Sequence, residues 1–102
     1  MSRREQIEAM LQDAPDDAEL NYFLAMEYLS EGEEEQAETR LRQLIENQSD
    51  YVPLYLQLGQ IYQRQGEEEQ AIETYKKGIA LAKQQGNEHA ANEMTGFLAM
   101  LE

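Results

Sequence analysis

Gly32-Glu33-Glu34-Glu35-Gln36-Ala37 stands again, unchanged, as Gly66-Glu67-Glu68-Glu69-Gln70-Ala71, 34 residues further along the chain. A six-residue identity carries little weight in a glutamate-rich sequence, so the flanks decide. At the same offset Leu24, Tyr28 and Leu41 align with Leu58, Tyr62 and Tyr75, and the small residue Ala25 aligns with Gly59. Self-similarity at a fixed period of this size is the mark of a stacked repeat, in which each unit buries its apolar face against the next.

The apolar spacing says what each unit is made of. Leu54, Leu58, Ile61 and Tyr62 fall at i, i+4, i+7 and i+8, and beyond Gly66 the residues Ala71, Ile72, Tyr75, Ile79 and Ala82 continue a 3.6-residue period. Each unit is thus two amphipathic helices joined at a glycine. Ala25, Ala37, Gly59, Ala71 and Gly78 are small on faces that are otherwise apolar, as required where helices approach closely and a larger side chain would overpack. Both glutamate triplets open a second helix, where carboxylates meet the positive end of the helix dipole. Consecutive helical positions point about 100° apart, so Glu33, Glu34 and Glu35 cannot converge on one cation, and no metal site is expected.

These residues resemble the tetratricopeptide-repeat family, whose 34-residue unit carries an aromatic, Leu-Gly and Tyr in its first helix and Ala-x3-Phe in its second. The second repeat reads Tyr55-x2-Leu58-Gly59-x2-Tyr62, Gly66, Ala71-x3-Tyr75. The first reads Asn21-x2-Leu24-Ala25-x2-Tyr28, Gly32, Ala37-x3-Leu41, with Asn21 the one poor match. The resemblance implies an all-α fold, a right-handed α-solenoid of antiparallel helix pairs. Six helices are expected, near 2–12, 17–31, 34–46, 52–65, 67–84 and 87–101.

The organisation expected is one domain of 1–102: an N-terminal half-repeat helix in 1–16, repeats at 18–51 and 52–85, and a capping helix in 86–102. Ser2-Arg3-Arg4-Glu5 has the form of a capping box before Ile7, Met10 and Leu11, and Pro15 ends that helix. The last helix, after Gly86-Asn87, departs from the repeat: Asn92 and Glu93 occupy the Leu-Gly positions and Gly96 the Tyr position. Such a departure suits a terminal helix that must cover the core of an array.

Composition narrows the partners. Twenty-one acidic against eight basic residues give a formal charge of −13, which repels nucleic acid phosphates and anionic lipid headgroups. Solubility or salt adaptation accounts for this charge, and so does a cationic partner. There is no basic-then-apolar leader and no run of 18 apolar residues, and the absence of cysteine fits a reducing compartment; a soluble, cytoplasmic protein is expected. His89, alone and without cysteine, cannot make a conventional zinc set or a Cys-His pair. With no phosphate loop and no specific carboxylate pair, neither catalysis nor a cofactor is expected.

What the resemblance implies instead is a groove lined by the first helices of successive repeats, touched by bound peptide at their second, fifth, ninth, twelfth and thirteenth positions. Here these are Glu19, Tyr22, Met26, Leu29 and Ser30, then Pro53, Leu56, Gln60, Gln63 and Arg64. Tyr22 and Met26 also have a plainer use, covering the junction with the N-terminal helix. Family members that grip a peptide's terminal carboxylate carry Lys and Asn where this chain has Tyr22 and Met26, so that grip is not expected. The partner expected is a protein or peptide mixing apolar and basic residues; the alternative is self-association, as a homodimer through the groove or an end helix.

Overall fold

The computed structural model describes residues 2–47 and 49–102; Met1, which opens the stretch searched for a leader, lies outside them. Among the described residues there are six α-helices and no strand: α1 (Arg3–Asp13), α2 (Ala18–Ser30), α3 (Glu34–Glu46), α4 (Pro53–Arg64), α5 (Glu68–Gln84) and α6 (Glu88–Leu101). All-α architecture is therefore observed, with helix ends within one residue of those expected. The chain divides into two compact units, Met1–Tyr51 and Val52–Glu102.

The joints that create the hairpins share one geometry. Gly32, Gly66 and Gly86 have φ of 80°, 77° and 73°, a left-handed conformation that glycine adopts without a Cβ penalty. At each, the glycine N–H donates to the carbonyl three residues back (Leu29, Gln63, Lys83). The next N–H reaches five back (Tyr28, Tyr62, Ala82), which satisfies the orphaned carbonyls of the ending helix. The residue donating that second bond, Glu33, Glu67 or Asn87, is already the N-cap of the following helix.

In the first unit α1 packs on α2 and α2 on α3. The capping box of α1 forms: the Glu5 N–H donates to Ser2 Oγ at 3.1 Å and the Ser2 N–H to Glu5 Oε1 at 3.0 Å. The Ser2 N–H, and after it the Ser2 hydroxyl, hold the Glu5 carboxyl below the usual range. α1 buries only Ile7 and is otherwise tied by charge. Arg3 meets Glu27 at 2.7 Å and Arg4 meets Glu31 at 2.6 Å, with the Arg4 guanidinium over the Tyr28 ring. Exposed pairs of this kind contribute little each.

The core of this unit contains a polar group. Asn21, 5% exposed, donates through Nδ2 to the carbonyls of Pro15 (3.0 Å) and Asp17 (2.8 Å), while Arg40 of α3 donates to its Oδ1 at 2.6 Å. Both amide donors being committed to carbonyls, the oxygen must face Arg40. The poor match in the motif is thus a satisfied hydrogen-bonding node that ties the α1–α2 link to α3.

In the second unit α4 packs on α5 and α5 on α6 around Leu54, Tyr55, Leu58, Ile61, Tyr62, Ala71, Tyr75, Ala82, Ala91 and Met94, all buried. The small residues do what their positions require. A Cβ on Gly59 would lie 2.4 Å from the Tyr75 ring, and one on Gly78 would lie 2.6 Å from both Met94 Sδ and Tyr55 Cβ. Tyr75 cannot easily yield: it is fully buried, stacked on Phe97 (centroids 5.9 Å, 14°), and its hydroxyl donates to Gln63 Oε1 at 2.6 Å. Burial pushes its phenol pKa up to about 12.

Candidate functional site

The residues picked out for a groove divide between α2 and α4, one set in each unit. On α2, Asn21, Leu24 and Ala25 face the core, and the helix turns a second stripe outward. Glu19, Tyr22, Met26 and Leu29 recur on it at the i, i+3, i+7 and i+10 spacing of a single helix face. Glu19 is exposed, and Tyr22, Met26 and Leu29 are half-buried. Ser30 is exposed and its hydroxyl donates to the Glu27 carbonyl, so it is satisfied by its own helix.

On α4 the same spacing places Pro53, Leu56, Gln60 and Gln63 on one stripe, all half-buried, with exposed Arg64 beside it. Gln60, Gln63 and Arg64 come together around a shallow hollow of about 380 Å³. Gln63 has a second duty there, because its Oε1 is held by the buried Tyr75 hydroxyl. Pro53 stands at the start of α4, where the N–H it lacks would have had no helical partner.

One neighbour of the α2 stripe was not anticipated. Tyr51, the last residue of the first repeat, sets its ring edge-to-face with Tyr22, centroids 5.3 Å apart at 64°, and Tyr22 in turn lies 6.0 Å from Phe23. Burial, and then the nearby Glu19 carboxylate, raise the Tyr51 phenol pKa. Tyr51 stands outside every helix, so periodicity could not reveal it; the only sequence signal was an aromatic residue at a repeat boundary.

Among the described residues no group of three or more carboxylate, histidine or cysteine side chains could hold a metal ion, and His89 is exposed at the start of α6. No described helix is long and apolar enough to cross a membrane. What the two stripes offer chemically is contact: thioether, aromatic and aliphatic surface edged by amides and a few charges.

The tetratricopeptide-repeat family model matches residues 18–51 and 52–85. The TPR repeat-containing protein PA0015 of Pseudomonas aeruginosa is 33% identical over 98 residues, spanning 96% of this chain and 93% of that protein. Among solved structures, the solution structure of a tetratricopeptide repeat domain protein from Salinibacter ruber has a TM-score of 0.81 and 32% identity, covering 86% of this chain and 89% of its own. The solution structure of protein BPP2914 from Bordetella parapertussis has a TM-score of 0.80 and 27% identity, over 99% of this chain and 88% of its own. The fold is that of helical-hairpin repeat proteins, a class that generally mediates contacts between proteins. The chain belongs to the tetratricopeptide-repeat family.

Proposed function

We propose that this chain is a non-catalytic adaptor that holds a protein or peptide on the outward stripes of α2 and α4. The observation that carries this is the partial exposure of Tyr22, Met26, Leu29 and Leu56 beside the buried faces of their helices, at the positions where the family's ligands lie. Side chains already half-desolvated, of types enriched in interface cores, are inexpensive to bury completely. The partner presents apolar side chains to them, and basic ones to the acidic surroundings, in the cytoplasm.

The test is a Met26→Glu, Leu56→Glu double variant. Neither residue is fully buried, so helicity should survive. A carboxylate pressed unpaired against an apolar partner surface costs several kcal/mol, enough to abolish a micromolar complex. Partner affinity measured by titration, with circular dichroism of both proteins, checks this; equal affinity would move the site elsewhere. A second reading, a homodimer, is favoured by Met10 on α1 and Met100 on α6, exposed at 55% and 75%. Sedimentation across a concentration series separates it from the adaptor.

A further inference from the structure

We propose that Tyr22, Tyr51 and Glu19 form a seat for one basic side chain of the partner, with arginine preferred over lysine. The proposal rests on the adaptor reading and specifies one contact within it. Two half-buried phenol rings stand edge to face, 5.3 Å between centroids, and Glu19, three residues before Tyr22 on the same stripe of α2, sets its carboxylate near the Tyr51 phenol. An ionised carboxylate beside two rings has acceptor capacity for an incoming cation. A cation over an aromatic face is attracted by the ring quadrupole. A guanidinium can do this while its planar fork donates to a carboxylate, which the compact ammonium of lysine cannot match.

The surroundings leave the position open to an external cation. Arg3 pairs with Glu27, Arg4 with Glu31, Arg42 with Glu38, and Arg40 with Asn21. Among the described residues no lysine or arginine lies within ion-pairing distance of Glu19. The start of α2 opposes a cation with the equivalent of about half a positive charge, but Asp17 and Glu19 stand in that same turn and outweigh it. The unit as a whole has fourteen carboxylates and four arginines, a formal −10, which raises the local concentration of any cationic segment.

Two probes test this. N-acetyl-arginine amide, titrated into the 102-residue chain and followed by NMR, should shift Tyr22, Tyr51 and Glu19 together and to saturation. Its neutral isostere N-acetyl-citrulline amide should bind about tenfold more weakly or worse, and Glu19→Gln should weaken the arginine probe by a similar about tenfold factor. Tyr51→Phe, which keeps the ring and removes the phenol near the carboxylate, should reduce the preference for arginine over the lysine analogue. Shifts spread evenly over Glu34, Glu35 and Glu68, or an unchanged Glu19→Gln, would overturn the proposal. The second probe is a displayed random-peptide library selected on wild type and on each variant. Arginine enrichment that disappears with Glu19→Gln supports the seat. If Met26→Glu, Leu56→Glu abolishes selection while Glu19→Gln leaves the selected sequences unchanged, the seat fails and the adaptor stands. If the arginine probe saturates at Tyr22 but the double variant selects the same peptides, the adaptor surface is wrong and the seat survives.

Discussion

The first and second units are built on one 34-residue pattern and reach stability by different means. Val52–Glu102 buries a broad apolar core that includes three tyrosines, a methionine and two glycines pressed against side chains. Met1–Tyr51 buries Ile7, Leu24, Ala25, Ala37 and Leu41, and around them uses a buried amide, an arginine and ion pairs. Where the second unit sets Gly59 against Tyr75, the first has Ala25 and Leu41, exchanging volume between the two positions. Where the second has buried Tyr55, the first has Asn21. Charge divides as unevenly: seven carboxylates and four bases in the second unit, a formal −3, against −10 in the first. A repeat pattern therefore specifies where side chains meet, and leaves open whether they meet as volumes or as hydrogen bonds.

The largest way to break this comparison is to overfill the second unit. Gly59→Leu should destabilise by about 3 kcal/mol in urea unfolding, because even its Cβ intrudes on Tyr75. Gly59→Ala should be milder, its gain in helix propensity of about 1 kcal/mol offsetting part of the clash. Combining it with Tyr75→Leu recreates the Ala25–Leu41 pair. The two changes should then cost less together than the sum of the separate losses. Strict additivity would mean that the volumes are not matched.

A smaller effect sharpens the polar side. Asn21→Ala leaves two carbonyls and Arg40 without their shared partner and should cost about 1–3 kcal/mol. Arg40→Met should then cost less in the Asn21→Ala background than in wild type, and equal costs would show that the node acts through something other than this contact.

The smallest effect is the response to salt. Sodium chloride should raise the melting temperature by a few degrees, about 1 kcal/mol or less, by screening self-repulsion. The exposed pairs of α1 weaken in the same salt but contribute little. Because most of the charge lies in the first unit, amide exchange should slow more in α2 and α3 than in α5. A uniform response would detach salt sensitivity from the division of charge.

Much of this was legible in the residues, for reasons that are local. Helix ends follow from Gly32, Gly66, Gly86 and Pro15, whose backbone constraints belong to single residues. The duties of Gly59 and Gly78 could be read from smallness on an apolar face. Asn21 could not, because its role depends on Arg40, nineteen residues away and silent in an apolar period. Nor could the place of Tyr51 against Tyr22, since an aromatic outside any helix carries no phase. The outward stripe on α2 and α4 came from resemblance to a family and from helical geometry together. Which side chains on it are drawn inward, as Gln63 is by Tyr75, depends on packing that spacing alone does not encode.

The three glycine joints have a bearing on how the chain folds. Every hydrogen bond that closes a joint spans five residues or fewer, and each joint also starts the next helix. The hairpins α2–α3, α4–α5 and α5–α6 can therefore nucleate without waiting for distant segments to find one another. Chains dominated by such short-range closures search little and fold on the microsecond-to-millisecond scale. Apolar faces are then exposed only briefly, and each hairpin, once closed, is a template on which the adjoining helix can settle.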